Sequence, residues 1–138
     1  MAHTLARIAS LIALAGISLP VLAHHGTSVT YDTSKTIVVE GIVTEWVFSF
    51  PHAQIYFDVT GADGKVVHWG TELAPTPTMM RNLNAGWNRE SIKVGDKLKL
   101  TCNPHRVAGA TACLSKEMVV NGKLMPLTEA QVKQASAQ

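Results

Sequence analysis

Two alternating segments on either side of a glycine turn predict a β-hairpin in the middle of the chain. Residues 52–59 and 66–73 each place apolar side chains at every second position, which is the period of a half-buried strand. The loop between them contains Gly64, which can adopt the left-handed conformation that a short hairpin loop requires. Pairing Gly61 with Lys65 sets the apolar residues of one strand opposite those of the other, so the sequence predicts the register as well as the hairpin.

Further strands and one short helix complete the predicted domain. Thr76 and Pro77 suit the first positions of a helix, and Gly86 is placed to end it after about two turns. The resulting order, β-β-β-α-β-β, is that of the OB-fold, a small five-stranded barrel. We therefore expect a mainly β protein with an OB-like barrel and one short helix. The other three strands are predicted at residues 36–46, 97–102 and 113–120, the first of them bent at Gly41.

The first residues have the pattern of a secretory signal peptide. A basic start is followed by an apolar run at residues 8–19 and by small residues that favour cleavage after Ala23. The run is shorter than the roughly 20 apolar residues of a membrane-spanning helix, so we expect a periplasmic protein without a membrane anchor. The predicted segments are a signal peptide over residues 1–23, an N-terminal arm over 24–35, the barrel over 36–127 and a frayed polar tail over 128–138.

The charge and the two cysteines limit the possible functions. A formal net charge of +2 gives no strongly basic surface, so nucleic acid is not an expected partner. In an exported protein Cys102 and Cys113 favour a disulfide, which would stabilise the fold by roughly 2 to 3 kcal/mol through loop closure. Strand alternation turns Cys113 away from the core, so the bridge requires a bulge or an irregular strand end. The alternative is a reduced thiol pair that binds Cu(I) together with His105 or a methionine.

Several short motifs resemble those of a family of small exported bacterial proteins. They are AHH at residues 23–25, PHA at residues 51–53, GWNRES at residues 86–91 and VGD at residues 94–96. The family is known only as a domain of unknown function, so the resemblance implies export and a single small β domain but no activity. The two cysteines, with His105 between them, depart from the pattern of the family, so their role is expected to be particular to this chain.

The predicted mature N-terminus carries the clearest candidate for metal chemistry. After cleavage His24 offers an α-amine and an imidazole to one ion, and His25 adds a second imidazole and a deprotonatable amide. This nitrogen-rich set suits Cu(II) or Ni(II), and copper is the expected cofactor. A third imidazole would complete a defined site, with His52 at a strand start as the first choice and His105 as the second. The alternative is a solvated terminus that happens to contain two histidines.

The polar side of the hairpin is the second candidate site. The predicted register pairs His68 with Asp58 and places His68 roughly 20 Å from His52, too far to share one ion. This side could bind a peptide, a sugar or a partner protein, or it could be an ordinary wet sheet face. The candidate ligand face consists of Gln54, Tyr56, Asp58, His68 and Glu72.

Catalysis is not expected, because the sequence contains no recognisable set of nucleophile, base and orienting residue. Two functions of different classes are therefore predicted. The first is an exported metal-binding protein that holds Cu(II) at its processed N-terminus and acts as a carrier or sensor. The alternative is a metal-free binding module, or an accessory subunit, that contacts a periplasmic protein or a small ligand through the barrel face.

Overall fold

A computed structural model describes residues 27–81, 87–135 and 137. The predicted signal peptide, the His24-His25 pair and the predicted helix end at Gly86 lie outside these residues. No helix in the described ranges is long and apolar enough to cross a membrane. The helices are α1 (Thr27–Thr30), α2 (Thr76–Arg81) and α3 (Glu129–Ala135). The strands are β1 (Ile37–Val47), β2 (His52–Thr60), β3 (Val66–Pro75), β4 (Lys97–Pro104), β5 (Ala112–Val120) and β6 (Lys123–Met125).

The strands form a barrel with the predicted OB-like plan. Their order in the sheet is β3-β2-β1-β4-β5-β6, and β3 also pairs with β5 in parallel, which closes the barrel. The helix α2 connects β3 to β4, as the element order predicted. The prediction of a mainly β, five-stranded OB-like barrel is therefore confirmed, and β6 is a short addition at the edge of β5.

The predicted register of the β2–β3 hairpin is confirmed over most of its length. Phe57 faces Trp69, and the turn glycine Gly64 has a φ of 78°. The register shifts between His52 and Gln54, where one extra residue in β3 brings His52 opposite Pro75.

For one residue of the hairpin, the predicted inward orientation was wrong. Val67, expected to face the core, is 42% exposed. The reason is that β5 pairs with β3 only at residues 70–72, so nothing in the barrel covers the first residues of β3.

The bend in β1 occurs at a different place from the one predicted. The register with β2 shifts between Val43 and Glu45, so the bulge lies there and not at Gly41. Gly41 is required for another reason. A Cβ at this position would lie 2.4 Å from the carbonyl oxygen of Asp58 and 2.8 Å from the ring of Phe57. The glycine therefore allows β1 and β2 to approach closely.

The core is a single cluster inside the barrel. The inward residues of β2 and β3 meet those of β4 and β5, and Trp87 closes one side with its indole N–H donating to the carbonyl of Pro126 at 3.0 Å. Packing of this kind is the main source of the stability of a small β domain. The largest side chains that are fully buried are Phe57, Ile55, Leu73, Met79, Leu100 and Met118.

Cys102 and Cys113 form a disulfide with a Cα–Cα distance of 5.8 Å, as expected for an exported chain. Both residues are fully buried, and the described residues include no free cysteine, so the reduced thiol pair is not formed. The bulge that the bridge required lies at Lys116, where the pairing passes from Glu117 to Ser115 with one residue skipped. This extra residue turns Cys113 inward.

The described part of the N-terminal arm is docked on the connection between β4 and β5. Tyr31 forms a bridge with His105, and the backbone N–H of Asp32 donates to the carbonyl of Pro104 at 2.8 Å. Arg106 donates through Nε to a carbonyl in α1 at 2.9 Å. These contacts place the arm against the loop that the disulfide closes.

The C-terminal segment was expected to be a frayed tail, but most of it forms α3. The side chain of Gln131 accepts the backbone N–H of Leu127 at 2.7 Å and donates to the carbonyl of Lys116 at 2.9 Å. Val132 packs against the core. These contacts stabilise α3, because a helix of seven residues is too short to be stable by itself.

Candidate functional site

The residues of the candidate ligand face lie together on the outer side of the β2–β3 hairpin. Gln54 lies opposite Glu72, and Asp58 lies opposite His68. The apolar neighbours of these residues along β2 are buried, so the polar side chains point away from the core. The alternation of the two strands and the register of the hairpin were sufficient to predict this arrangement.

Tyr56 occupies the centre of this face. Its ring lies over Gly70, where an added Cβ would come within 3.3 Å of the ring. Its hydroxyl donates to Oε1 of Gln54 at 2.8 Å, which fixes the direction of the side chain. The ring is nevertheless 40% exposed, so one of its faces remains open to a ligand.

Two cavities flank Tyr56. They share the residues Tyr56, Gly70 and Ala112, so they adjoin one another across the sheet. The larger, of about 470 Å³, is lined by Thr44, Glu45, Tyr56, His68, Trp69, Gly70, Thr111 and Ala112. The smaller, of about 160 Å³, is lined by Tyr31, Gln54, Tyr56, Gly70, Thr71, Glu72 and Ala112.

Tyr31 is a site residue that the sequence analysis missed. It lines the smaller cavity and is only 8% exposed, although it belongs to the polar N-terminal arm. Burial and the nearby carboxylate of Glu72 both raise the pKa of the Tyr31 phenol. The signal for its role was present in the sequence, because Tyr31 is the sole aromatic side chain of the predicted arm.

His52 is held in one tautomer by its hydrogen bonds. Its Nδ1 lies 2.9 Å from the carbonyl oxygen of Leu73 and 3.0 Å from Oε1 of Glu72. A carbonyl can only accept a hydrogen bond, so Nδ1 carries a proton, and in the neutral ring the lone pair is on Nε2. Metal-binding histidines usually have this arrangement, with the second ring nitrogen donating to a carbonyl or carboxylate.

His105 has the opposite tautomer. Its Nδ1 accepts the backbone N–H of Val107 at 3.0 Å, so in the neutral ring the proton is on Nε2. The ring of Tyr31 also packs edge-on against the imidazole, with 5.7 Å between the ring centres. Nε2 of His105 is therefore less suited to bind a metal than Nε2 of His52.

His68 pairs with Asp58 as the register predicted, through a hydrogen bond that involves Nδ1. Its side chain is 85% exposed. His52 and Asp58 are six positions apart on β2, which corresponds to about 20 Å along the strand. His68 is therefore too far from His52 to share an ion with it, and it lines the larger cavity instead.

The described residues do not form a complete metal site. Within residues 27–81, 87–135 and 137, no group of three or more His, Cys, Asp or Glu side chains could hold a metal ion. The His52–Glu72 pair supplies one oriented imidazole nitrogen. His24 and His25 lie outside the described residues, so the predicted N-terminal ligands remain a prediction.

Comparisons with known proteins place the chain in a family. No curated protein matched the sequence. Among solved structures, the mitochondrial single-stranded DNA binding protein Rim1 from S. cerevisiae is similar, with a TM-score of 0.43 and 11% identity over 62% of this chain and 92% of that chain. The model of the family of unknown function DUF6152 matches residues 12–115, which is most of the sequence, and the chain therefore belongs to that family.

Proposed function

We propose that this protein is exported to the periplasm and binds Cu(II) through its processed N-terminus together with His52, acting as a carrier or sensor. The observation that carries the proposal is the tautomer of His52, which its hydrogen bonds determine. The carbonyl of Leu73 and the carboxylate of Glu72 hold its Nδ1 proton, which leaves the Nε2 lone pair available. A ring fixed in this way loses little freedom when it binds a metal.

The remaining ligands would come from the residues exposed by cleavage. His24 supplies an α-amine and an imidazole, and His25 supplies an imidazole and an amide nitrogen, which form the tetragonal nitrogen set that Cu(II) favours. The ordinary pKa of an α-amine is about 8, so copper displaces its proton readily at neutral pH. Because the described residues provide no three-ligand group, the proposal requires this N-terminal contribution.

The disulfide supports the export part of the proposal. A buried bridge such as Cys102–Cys113 forms and persists in an oxidising compartment and is rare in the cytosol. The basic start, apolar run and small residues before Ala23 point to the same route.

The test is isothermal titration of Cu(II) into untagged protein that begins at His24. The matched variants carry one extra residue ahead of His24, or the substitution His52→Gln. We expect one-to-one binding that the extension abolishes and that His52→Gln weakens at least about tenfold, the loss of roughly one good ligand interaction.

His68→Gln is the control for the copper titration. His68 is also a histidine whose Nδ1 is hydrogen-bonded to a carboxylate, but it lies at the other end of the hairpin. Its substitution should leave the affinity unchanged. Equal, weak uptake by the native and extended proteins would refute the proposal, and so would equal effects of the two histidine substitutions.

The two cavities around Tyr56 favour a second candidate function, a metal-free binding module that contacts a protein or a small ligand. Mainly apolar recesses with a few polar side chains, here on either side of an exposed aromatic ring, are a common arrangement for ligand binding. If the protein is such a module, its binding of the protein or small ligand would persist in the presence of a chelator and would be lost in the Tyr56→Ala and Gln54→Ala variants. Ligand binding that requires copper would contradict this second candidate function.

A further inference from the structure

The smaller cavity is assembled from distant parts of the chain. Tyr31 comes from the N-terminal arm, Gln54 and Tyr56 from β2, Glu72 from β3 and Ala112 from the start of β5. The cavity is therefore complete only when the arm is docked on the barrel. Three features of the residues that line it indicate which class of ligand would bind there.

The first feature is charge. Among the described residues that line the cavity, Glu72 is the one ionised side chain, and none is Lys or Arg. One oxygen of Glu72 accepts from His52, and no other partner for this carboxylate is found among the described residues. An acidic group with free acceptor capacity in a recess of this kind favours a cation.

The second feature is the hydroxyl of Tyr31. This residue is more than nine-tenths buried, yet its hydroxyl has no hydrogen-bond partner in the described part of the chain. No fully buried side-chain nitrogen or oxygen in that part lacks a partner, so this oxygen must be open to solvent through the cavity. A buried tyrosine usually finds a partner for its hydroxyl, and here a ligand can provide one.

The third feature is the combination of aromatic surface and size. Tyr31 and Tyr56 both line the cavity, and the faces of aromatic rings attract cations. The cavity is also small, at about 160 Å³, so an ammonium group on a short alkyl chain would touch both rings and Glu72 at once.

We propose that this cavity binds the ammonium group of an alkyl amine, with Glu72 as counter-ion, the Tyr31 hydroxyl as hydrogen-bond acceptor and the Tyr56 ring as a wall. A free alkyl amine and a lysine side chain present the same group. This inference develops the second candidate function, and it does not depend on copper.

The experiment is a titration of n-butylammonium chloride into the purified protein with a chelator present, followed by backbone amide NMR. We expect saturable shifts at Gly70 and Ala112 with a Kd of the order of 1 mM, as is typical of so small a ligand. The neutral analogue 1-butanol should bind at least about tenfold more weakly, because it cannot pair with a carboxylate.

Three variants locate the binding group. Glu72→Gln keeps the shape of the side chain but removes its charge, and it should raise the Kd at least about tenfold, whereas Tyr31→Phe should raise it about threefold. Glu117→Gln removes the same charge from an exposed position on β5 and should have no effect. Equal binding of butanol, or equal Kd values for Glu72→Gln and Glu117→Gln, would overturn the proposal.

A parallel titration with Nα-acetyl-lysine methylamide distinguishes the sources of the amine. Binding equal to that of butylammonium supports a lysine side chain as the ligand, and weaker binding supports a free amine. Glu72→Gln changes one of the two partners of His52 Nδ1, whereas Tyr31→Phe changes neither of them. The butanol comparison and Tyr31→Phe therefore test the ammonium site separately from the copper titration, so a failure of one proposal can be distinguished from a failure of the other.

Discussion

Removal of the Cys102–Cys113 disulfide should destabilise the protein by an amount that follows from the loop it closes. The two cysteines are 11 positions apart. The chain-entropy relation for a loop of this length gives about 2.8 kcal/mol at 25 °C. A typical small domain has about 5 to 15 kcal/mol of unfolding free energy, so the Cys102→Ala/Cys113→Ala variant should remain folded but lose a large part of its stability.

Urea unfolding followed by circular dichroism measures this loss. With a urea m value of about 1.5 kcal/mol/M, a decrease of about 2.8 kcal/mol lowers the midpoint by about 2 M. The native protein unfolded in the presence of a reductant should show the same midpoint as the double variant, because both lack the cross-link. A decrease of less than about 1 kcal/mol, with the folded spectrum unchanged, would refute the loop-closure argument.

Three further predictions concern single residues. Gly41→Ala should lower the unfolding free energy by at least about 2 kcal/mol in urea unfolding, because the new Cβ would meet the carbonyl of Asp58 at 2.4 Å. Hydrogen bonding from Ser34 lowers the pKa of Asp32 to about 2. The contribution of the Asp32 carboxylate to stability is therefore present above pH 4 and disappears as the pH falls toward 2. Over this window the difference in unfolding free energy between the native protein and Asp32→Asn should vanish. Gln131→Ala should increase amide exchange throughout α3, and no increase would contradict the role of its two hydrogen bonds.

The hairpin was predictable from the sequence because its signals are local. The alternation in residues 52–59 and the turn at Gly64 define the register between neighbouring segments, and the observed pairs agree with it. A bulge was one of the two irregularities expected to bury Cys113, and its position at Lys116 was not predicted. A bulge changes the alternation by one residue and leaves no composition signal of its own.

The candidate site was only partly predictable because much of it depends on backbone groups far away in sequence. The five residues of the ligand face follow from strand alternation, but the tautomer of His52 is determined by the carbonyl of Leu73, 21 positions away. The same holds for Tyr31, which reaches the site because the arm docks on the β4–β5 connection. Sequence periodicity contains no information about such long-range contacts.

The docking of the N-terminal arm has a consequence for the assembly of the smaller cavity. The hydrogen bond from Arg106 to Ser28 joins residues 78 positions apart, so the arm gains its partners only where the β4–β5 connection meets it. Tyr31 is a wall of the smaller cavity, and that wall is missing from any state in which the arm is undocked. Occupation of the smaller cavity by a ligand would therefore report that the arm has docked on the barrel.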